Sequence, residues 1–121
     1  MVFCGEQGVS LRADRDGRDH EATHLVAVEN GRVIGTCRLL FRGGVARLGR
    51  LAVEPEQRGR GVAGAILREA DRVSLDHGAR RVALHAQTYA LALYRREGYF
   101  ERGRRFIEEG IEHVAMEKPL A

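Results

Sequence analysis

The sequence contains no tryptophan, and among its 121 residues it has only two cysteines and two prolines. Lys118 is its single lysine. Aromatic residues make up 6%, too few to build the stacking platform that single-stranded nucleic acid requires. Cys4 and Cys37 have no metal-like spacing and cannot make a disulfide scaffold, so both are expected as free thiols, Cys37 inside a strand. No apolar run approaches the roughly 18–20 residues of a membrane span, and no basic-then-apolar leader opens the chain. These absences set the expectation of a cytoplasmic protein with no metal, no membrane and no nucleic acid among its partners. Repeats, low-complexity tracts and linkers are missing too, so residues 1–121 read as one domain with one core.

What remains is enough to fold: 44% hydrophobic residues, 31% charged residues and a net charge of +3. The basic side is almost wholly arginine. Codon bias in a GC-rich genome accounts for that, although paired guanidinium donors also suit phosphate. The arginines are scattered along the chain, which argues against a small basic nucleic-acid binder.

Residues 10–22, "SLRADRDGRDHEA", read as a polar surface loop. The pattern over 23–29 is that of a strand, Asn30-Gly31 is a two-residue turn signal, and 32–41 resume the β pattern, which makes a hairpin. A turn at Gly43-Gly44 leads to a third strand at about 45–54, where Gly49 hints at a bulge or a close backbone approach. From Val62 to His77 the period becomes helical. Val62, Ala63, Ile66, Leu67, Ala70 and Val73 form the apolar side, while Arg68, Glu69, Asp71 and Arg72 form the polar one. Gly78 ends this helix. "RRVALHA" reads as a buried strand, parallel to the third because a helix connects them. "TYALALYRREG" is a short helix with Thr88 as its N-cap and Gly98 as its stop. Two strands, at about 99–107 and 111–117, close the chain through Gly110. The order β-β-β-α-β-α-β-β describes an α/β (α+β) domain with a mixed sheet flanked by helices.

Between the third strand and the long helix lies "VEPEQRGRGVAGAIL". A helix N-terminus offers unpaired N–H groups and partial positive charge, glycines let its backbone approach a ligand, and Arg58 and Arg60 add full charges. A turn that merely redirects the chain explains Gly59 and Gly61 but not the arginines. The arrangement asks for phosphate or pyrophosphate. Gly59, Gly61 and Gly64 match G-x-G-x-x-G literally, yet Pro55–Arg58 intervene after the strand, and "ALHAQ" lacks the acidic residue that would hold a dinucleotide's ribose. A Walker loop is excluded because no Gly-Lys-Ser/Thr follows.

Arg58-Gly59-Arg60-Gly61-Val62-Ala63 matches R/Q-x-x-G-x-G/A, and "AQTYALALYRREGYF" matches N-x-x-A-x-x-x-Y-x-x-x-G-F/Y with Ala90, Tyr94, Gly98 and Tyr99 in register. Together they resemble the acyl-CoA-binding and tyrosine motifs of the GNAT acyltransferase superfamily. "EQGV", "RDGRDHEATHLVA", "HAQ" and "EEGIEHVAM" resemble its ElaA-like branch, so the resemblance covers nearly the whole chain. It implies acetyl transfer from acetyl-CoA to a primary amine by direct attack, without a covalent enzyme intermediate. On this resemblance the backbone over Arg58, Gly59, Arg60, Gly61, Val62, Ala63 and Gly64 holds the CoA pyrophosphate. Leu51 and Val53 pair with the pantetheine arm, the Val53 N–H stabilises the oxyanion, and Tyr94 protonates the leaving thiolate.

Tyr94 also suits a core position with a polar tip, the motif register favouring catalysis. Glu54 and His85 compete as general base, each with a structural alternative: a solvated carboxylate and a hydrogen-bonded core histidine. Glu109 and His113 of the closing hairpin are candidates for acceptor binding, or ordinary hairpin surface. Gln87 stands where the family usually has asparagine against CoA, and Ala63 where glycine is frequent. Only "MVFC" precedes the "EQGV" segment, so the chain is expected to be N-terminally short, lacking the family's first strand and most of its first helix. An exposed sheet edge would then favour a homodimer. The acceptor, a small-molecule or peptide amine, is left open, and a catalytically impaired CoA-binding sensor is the competing function.

Overall fold

The computed structural model describes the backbone of residues 2–3, 8–16 and 19–120 and the side chains of residues 8–14 and 22–120. Strands β1 (Val2–Phe3), β2 (Val9–Asp16), β3 (Asp19–Glu29), β4 (Arg32–Arg42) and β5 (Val45–Val53) form an antiparallel meander. A short 3₁₀ turn at Pro55–Gln57 leads into α1 (Val62–Asp76), followed by β6 (Arg81–Gln87), a second 3₁₀ turn at Thr88–Ala90, α2 (Leu91–Arg96), β7 (Phe100–Glu108) and β8 (Ile111–Pro119). The strands make one sheet in the order β1-β2-β3-β4-β5-β6-β8-β7.

From β3 onward this is the order expected from the sequence. The loop expected over 10–22 is a correction: Val9–Asp16 is a strand paired antiparallel with β3. Val9, Leu11 and Ala13 alternate with Ser10, Arg12 and Asp14, a period of two that the density of charge conceals. Val9 is 0% and Leu11 3% exposed, but Ser10 is buried too and Ala13 is exposed, so the alternation is only partly realised. Cys4 and the first two residues of the "EQGV" segment lie outside the described residues, as do residues 17–18.

The core lies between the sheet and its two helices, with Leu25, Ile34, Leu39, Ile66, Leu67 and Met116 fully buried. Cys37 is buried there as a free thiol. α1 packs closest on β4, where a Cβ on Gly35 would come within 2.8 Å of Ile66 Cδ1 and 3.3 Å of Val62 Cγ1. The polar side read for α1 is only partly polar. Glu69 is buried and receives the Arg72 guanidinium through two hydrogen bonds of 2.7 Å. Asp71 pairs with Lys118 of β8, and burial pushes its carboxyl above the usual range. Thr88 does not cap α2: its hydroxyl donates to Glu112 at 3.1 Å, and Ala90 stands at the cap.

The sheet opens in its middle. β5 and β6 pair in parallel only at Val45↔Arg81, Ala46↔Val82 and Arg47↔Ala83. β5 then bulges, since Arg38 faces Gly49 while Thr36 faces Ala52, and Arg50 takes a left-handed φ of 57°. Such a bulge bends a strand and re-aims the residues beyond it. β6 continues along β8 instead, leaving a wedge between β5 and β6.

Candidate functional site

The wedge is continuous with the glycine turn. Gly59 and Gly61 have φ of 80° and 82°, a region open to glycine at little cost, and a Cβ at either would meet nothing within 4 Å. Gly61 precedes α1 with no side-chain cap, and the first helical bond runs from Ala65 N to Gly61 O at 3.0 Å. The amides of Val62, Ala63 and Gly64 therefore precede the helical ladder and lie at the positive end of a 15-residue helix. A cleft of about 580 Å³ covers this turn, lined by Arg58, Gly59, Gly61, Val62, Ala63 and Gly64 together with Arg68 and Arg96. Open glycines, unbonded amides and arginines fit a pyrophosphate.

A second cleft, of about 840 Å³, fills the wedge. It brings together Leu51, Val53, Arg58, Ala63, His85, Gln87, Tyr94, Glu109 and His113. The orientation of Val53 follows from its neighbour. Glu54 N–H donates to Ile34 O at 2.9 Å, which makes Gly35↔Val53 a non-hydrogen-bonded pair of the ladder. The N–H and C=O of Val53 therefore point away from β4 and into the wedge, where the carbonyl accepts Arg58 Nε at 3.2 Å.

Tyr94 lines the wedge from α2 and is 8% exposed. Burial first, and the neighbouring Cys37 and Tyr89 next, push its phenol up to about 12. Burial likewise pushes the Cys37 thiol up to about 12. Across the wedge, His85 Nδ1 lies 3.2 Å from Glu108 Oε2 and its ring meets Phe106 edge-on at 5.0 Å. His113 Nδ1 donates to Ile111 O at 2.7 Å, so its Nε2 is left for Glu108 Oε1, 3.9 Å away.

Two residues expected at the site line neither cleft. Glu54 is engaged by Arg32. Arg60 meets both oxygens of Glu29, at 3.2 and 2.8 Å, and also contacts Gln57, which fastens the turn to β3. The Arg60 hydrogen bonds hold the Glu29 carboxyl below its ordinary value.

Conversely, the clefts include Arg68, Arg96, Arg47, Arg50 and Tyr89, none of which sequence reasoning assigned a role at the site, and Glu108, which the sequence offered only as part of an acidic cluster with Glu109 and Glu112 near the acceptor side. Arg68 follows Gly61 by about two helical turns, a spacing that was there to be used. Arg47 shares a strand face with Gly49 through simple alternation. Arg50 depends on the bulge and left no local signal.

The family described as "Acetyltransferase (GNAT) domain" matches residues 5–120. The uncharacterized N-acetyltransferase YjcF of Bacillus subtilis is 31% identical over 118 residues, covering 97% of this chain and 84% of that protein. Among solved structures, an acyl-CoA N-acyltransferase from Pseudomonas aeruginosa superposes with a TM-score of 0.72 at 26% identity, over 80% of this chain and 68% of the other. A GNAT family acetyltransferase from Elizabethkingia anophelis, with acetyl-CoA bound, gives a TM-score of 0.79 over 95% of this chain and 100% of its own; at 12% identity that likeness concerns the fold.

Proposed function

Because the chain belongs to the GNAT acetyltransferase family and is an acetyl-CoA-dependent acyltransferase, we propose that it moves the acetyl group to a primary amine by direct attack, with the two clefts as one continuous site. The observation that carries this reading is the Val53 N–H, turned into the wedge between the anion cradle on one side and Tyr94 and His85 on the other.

The pyrophosphate sits on the amides at the start of α1, flanked by Arg58 and Arg96, while Arg68 at the same cleft is paired with Glu97. The pantetheine arm follows Leu51–Val53, where β5 has left β6. The thioester oxygen then falls to the Val53 N–H, which donates to the oxyanion as the amine nitrogen bonds to the acetyl carbon. His85 receives the proton of the incoming ammonium on Nε2, its Nδ1–H held by Glu108. Glu54, tied to Arg32 outside the wedge, is not the base. The carbon–sulfur bond then breaks, and the electron pair leaves on sulfur. A phenol near 12 holds its proton more firmly than a thiol near an ordinary ~8.5. Tyr94 therefore acts mainly as a hydrogen-bond donor to the departing thiolate; after attack the nitrogen sheds a second proton, which neutralises the sulfur, while the first passes from His85 to solvent.

Tyr94→Phe tests this. The expected result is a loss of kcat of about 10–100-fold, the worth of a hydrogen bond to a charged group, with calorimetric affinity for acetyl-CoA unchanged. Binding of neither acetyl-CoA nor desulfo-CoA by the unmodified protein would overturn the site. Full turnover by the phenylalanine variant would remove Tyr94 from the chemistry.

A further inference from the structure

The wedge is electrically two-ended. On the β6–β8 side stand Glu108 and Glu109 with His85 and His113. On the β5 side stand Arg47 and Arg50, lining the same cleft. Most arginines of the described residues are matched by carboxylates, as Arg60 is by Glu29 and Arg68 by Glu97. No carboxylate among the described residues pairs with Arg47, Arg50 or Arg38, and the buried Nε of Arg38 has no hydrogen-bond partner. Arg47 and Arg50 line the cleft beside Gly49, while Arg38 neighbours that spot through the strand register alone. Arg38 is the ladder partner of Gly49, Arg47 shares its face, and Arg50 follows it at the bulge. A Cβ at Gly49 would meet nothing within 4 Å, so the spot is open.

The distance between the two ends is short. Arg47 is level with Ala83, and His85 lies two residues farther along the same face of β6, about 7 Å at roughly 3.3 Å per residue. A molecule bridging them carries a cation and an anion only a few bonds apart. A polyamine would set its second cation against the arginines, while a plain monoamine would leave them unanswered.

We propose that the acceptor is a small amine that also bears an anionic group, a zwitterion of the amino-acid kind. Its ammonium lies toward Glu108 and His85, and its anion lies over Gly49 between Arg47 and Arg50. This rests on the acetyl-transfer reading above and specifies its substrate class. The same anion chemistry is offered by a carboxylate or by the phosphate of a phosphorylated amino sugar.

Matched pairs decide it, with release of free CoA thiol as the readout: leucine against leucinamide and isoamylamine, glucosamine 6-phosphate against glucosamine, and spermidine alone. The expected result is at least a tenfold higher kcat/KM for the anion-bearing member of one pair. Preference confined to leucine assigns a carboxylate, and preference confined to the sugar phosphate assigns a phosphate. Arg47→Glu, with Arg47→Gln as a milder variant at this exposed position, should abolish that preference and leave acetyl-CoA affinity unchanged. Leucinamide and glucosamine both serving as well as their anionic counterparts, or spermidine turning over faster than every anionic amine, would overturn the proposal while leaving acetyl transfer intact, as would a preference untouched in both Arg47 variants. A protein that binds acetyl-CoA but turns over none of these amines is read by calorimetry with CoA present. Binding of the anionic members alone, lost in Arg47→Glu, supports the proposal, and binding of none overturns it. Failure to bind acetyl-CoA at all is the separate failure of the acetyl-transfer reading.

Discussion

Arg58 and Arg60 stand two positions apart in one turn, yet their surroundings give them different work. Arg58 lines both clefts and reaches only a backbone carbonyl, so its charge is available to a ligand. Arg60 is committed to Glu29 and Gln57, so it shapes the turn from behind. Arg58→Ala should weaken acetyl-CoA binding several-fold, more at low salt than at high salt, and leave the melting temperature nearly unchanged. Arg60→Ala should lower the melting temperature and weaken binding only through the loosened turn. Its effect also carries a pH signature. The Glu29 carboxyl is held below its ordinary 4.5 in the folded chain, so the pair contributes stability above that value and loses it as pH falls through the lower folded value. The melting difference between Arg60→Ala and the unmodified chain should therefore be full at pH 6–7 and shrink below about pH 4.5; a constant difference across that range would show that the pair is not its source. The glycine-and-arginine turn was legible as an anion site from residue types alone, because both features are local. Which arginine faces the ligand was not, since it depends on Glu29, half the meander away.

At the scale of the element, α1 owes its position to Gly35. With no side chain there, Ile66 and Val62 settle directly on β4, and the cradle at the helix start is held level with Val53. Gly35→Ala should overpack this contact, destabilising the protein by about 1–3 kcal/mol in denaturant titrations and weakening acetyl-CoA binding as the helix start is displaced. Adding Ile66→Val, which removes the nearest methyl, should recover part of both, and failure to do so would place the strain elsewhere. The helix itself was plain in the sequence from the recurrence of Val62, Ile66, Ala70 and Val73. Its polar side misled, because Glu69 is buried against Arg72 and Asp71 is half-buried against Lys118 rather than solvated. Periodicity records hydropathy and not pairing, so a charge neutralised by a partner far along the chain reads as surface. β2 was lost for the opposite reason: its apolar residues are real, but the charges in "RADRD" outweighed them.

For the whole molecule, the telling feature is the brevity of the parallel seam. Within the meander and the closing hairpin, antiparallel neighbours follow one another through short turns, whereas β5 and β6 meet over three residue pairs after the chain has travelled the length of α1. The two halves of the sheet should thus open separately. Amides of β6, β7 and β8 are expected to exchange with deuterium as a group distinct from those of β3, β4 and β5, and acetyl-CoA, lying across both, should slow the two groups together. A single exchange class without ligand would refute this. The consequence concerns time. Closing the long crossover is the entropically slow event, because its loop must be ordered before any contact rewards it. The meander can form early, and the wedge comes into being only when β6 meets β5. The working site is thus the final thing the chain builds, and its ligand acts as a late splint across the join.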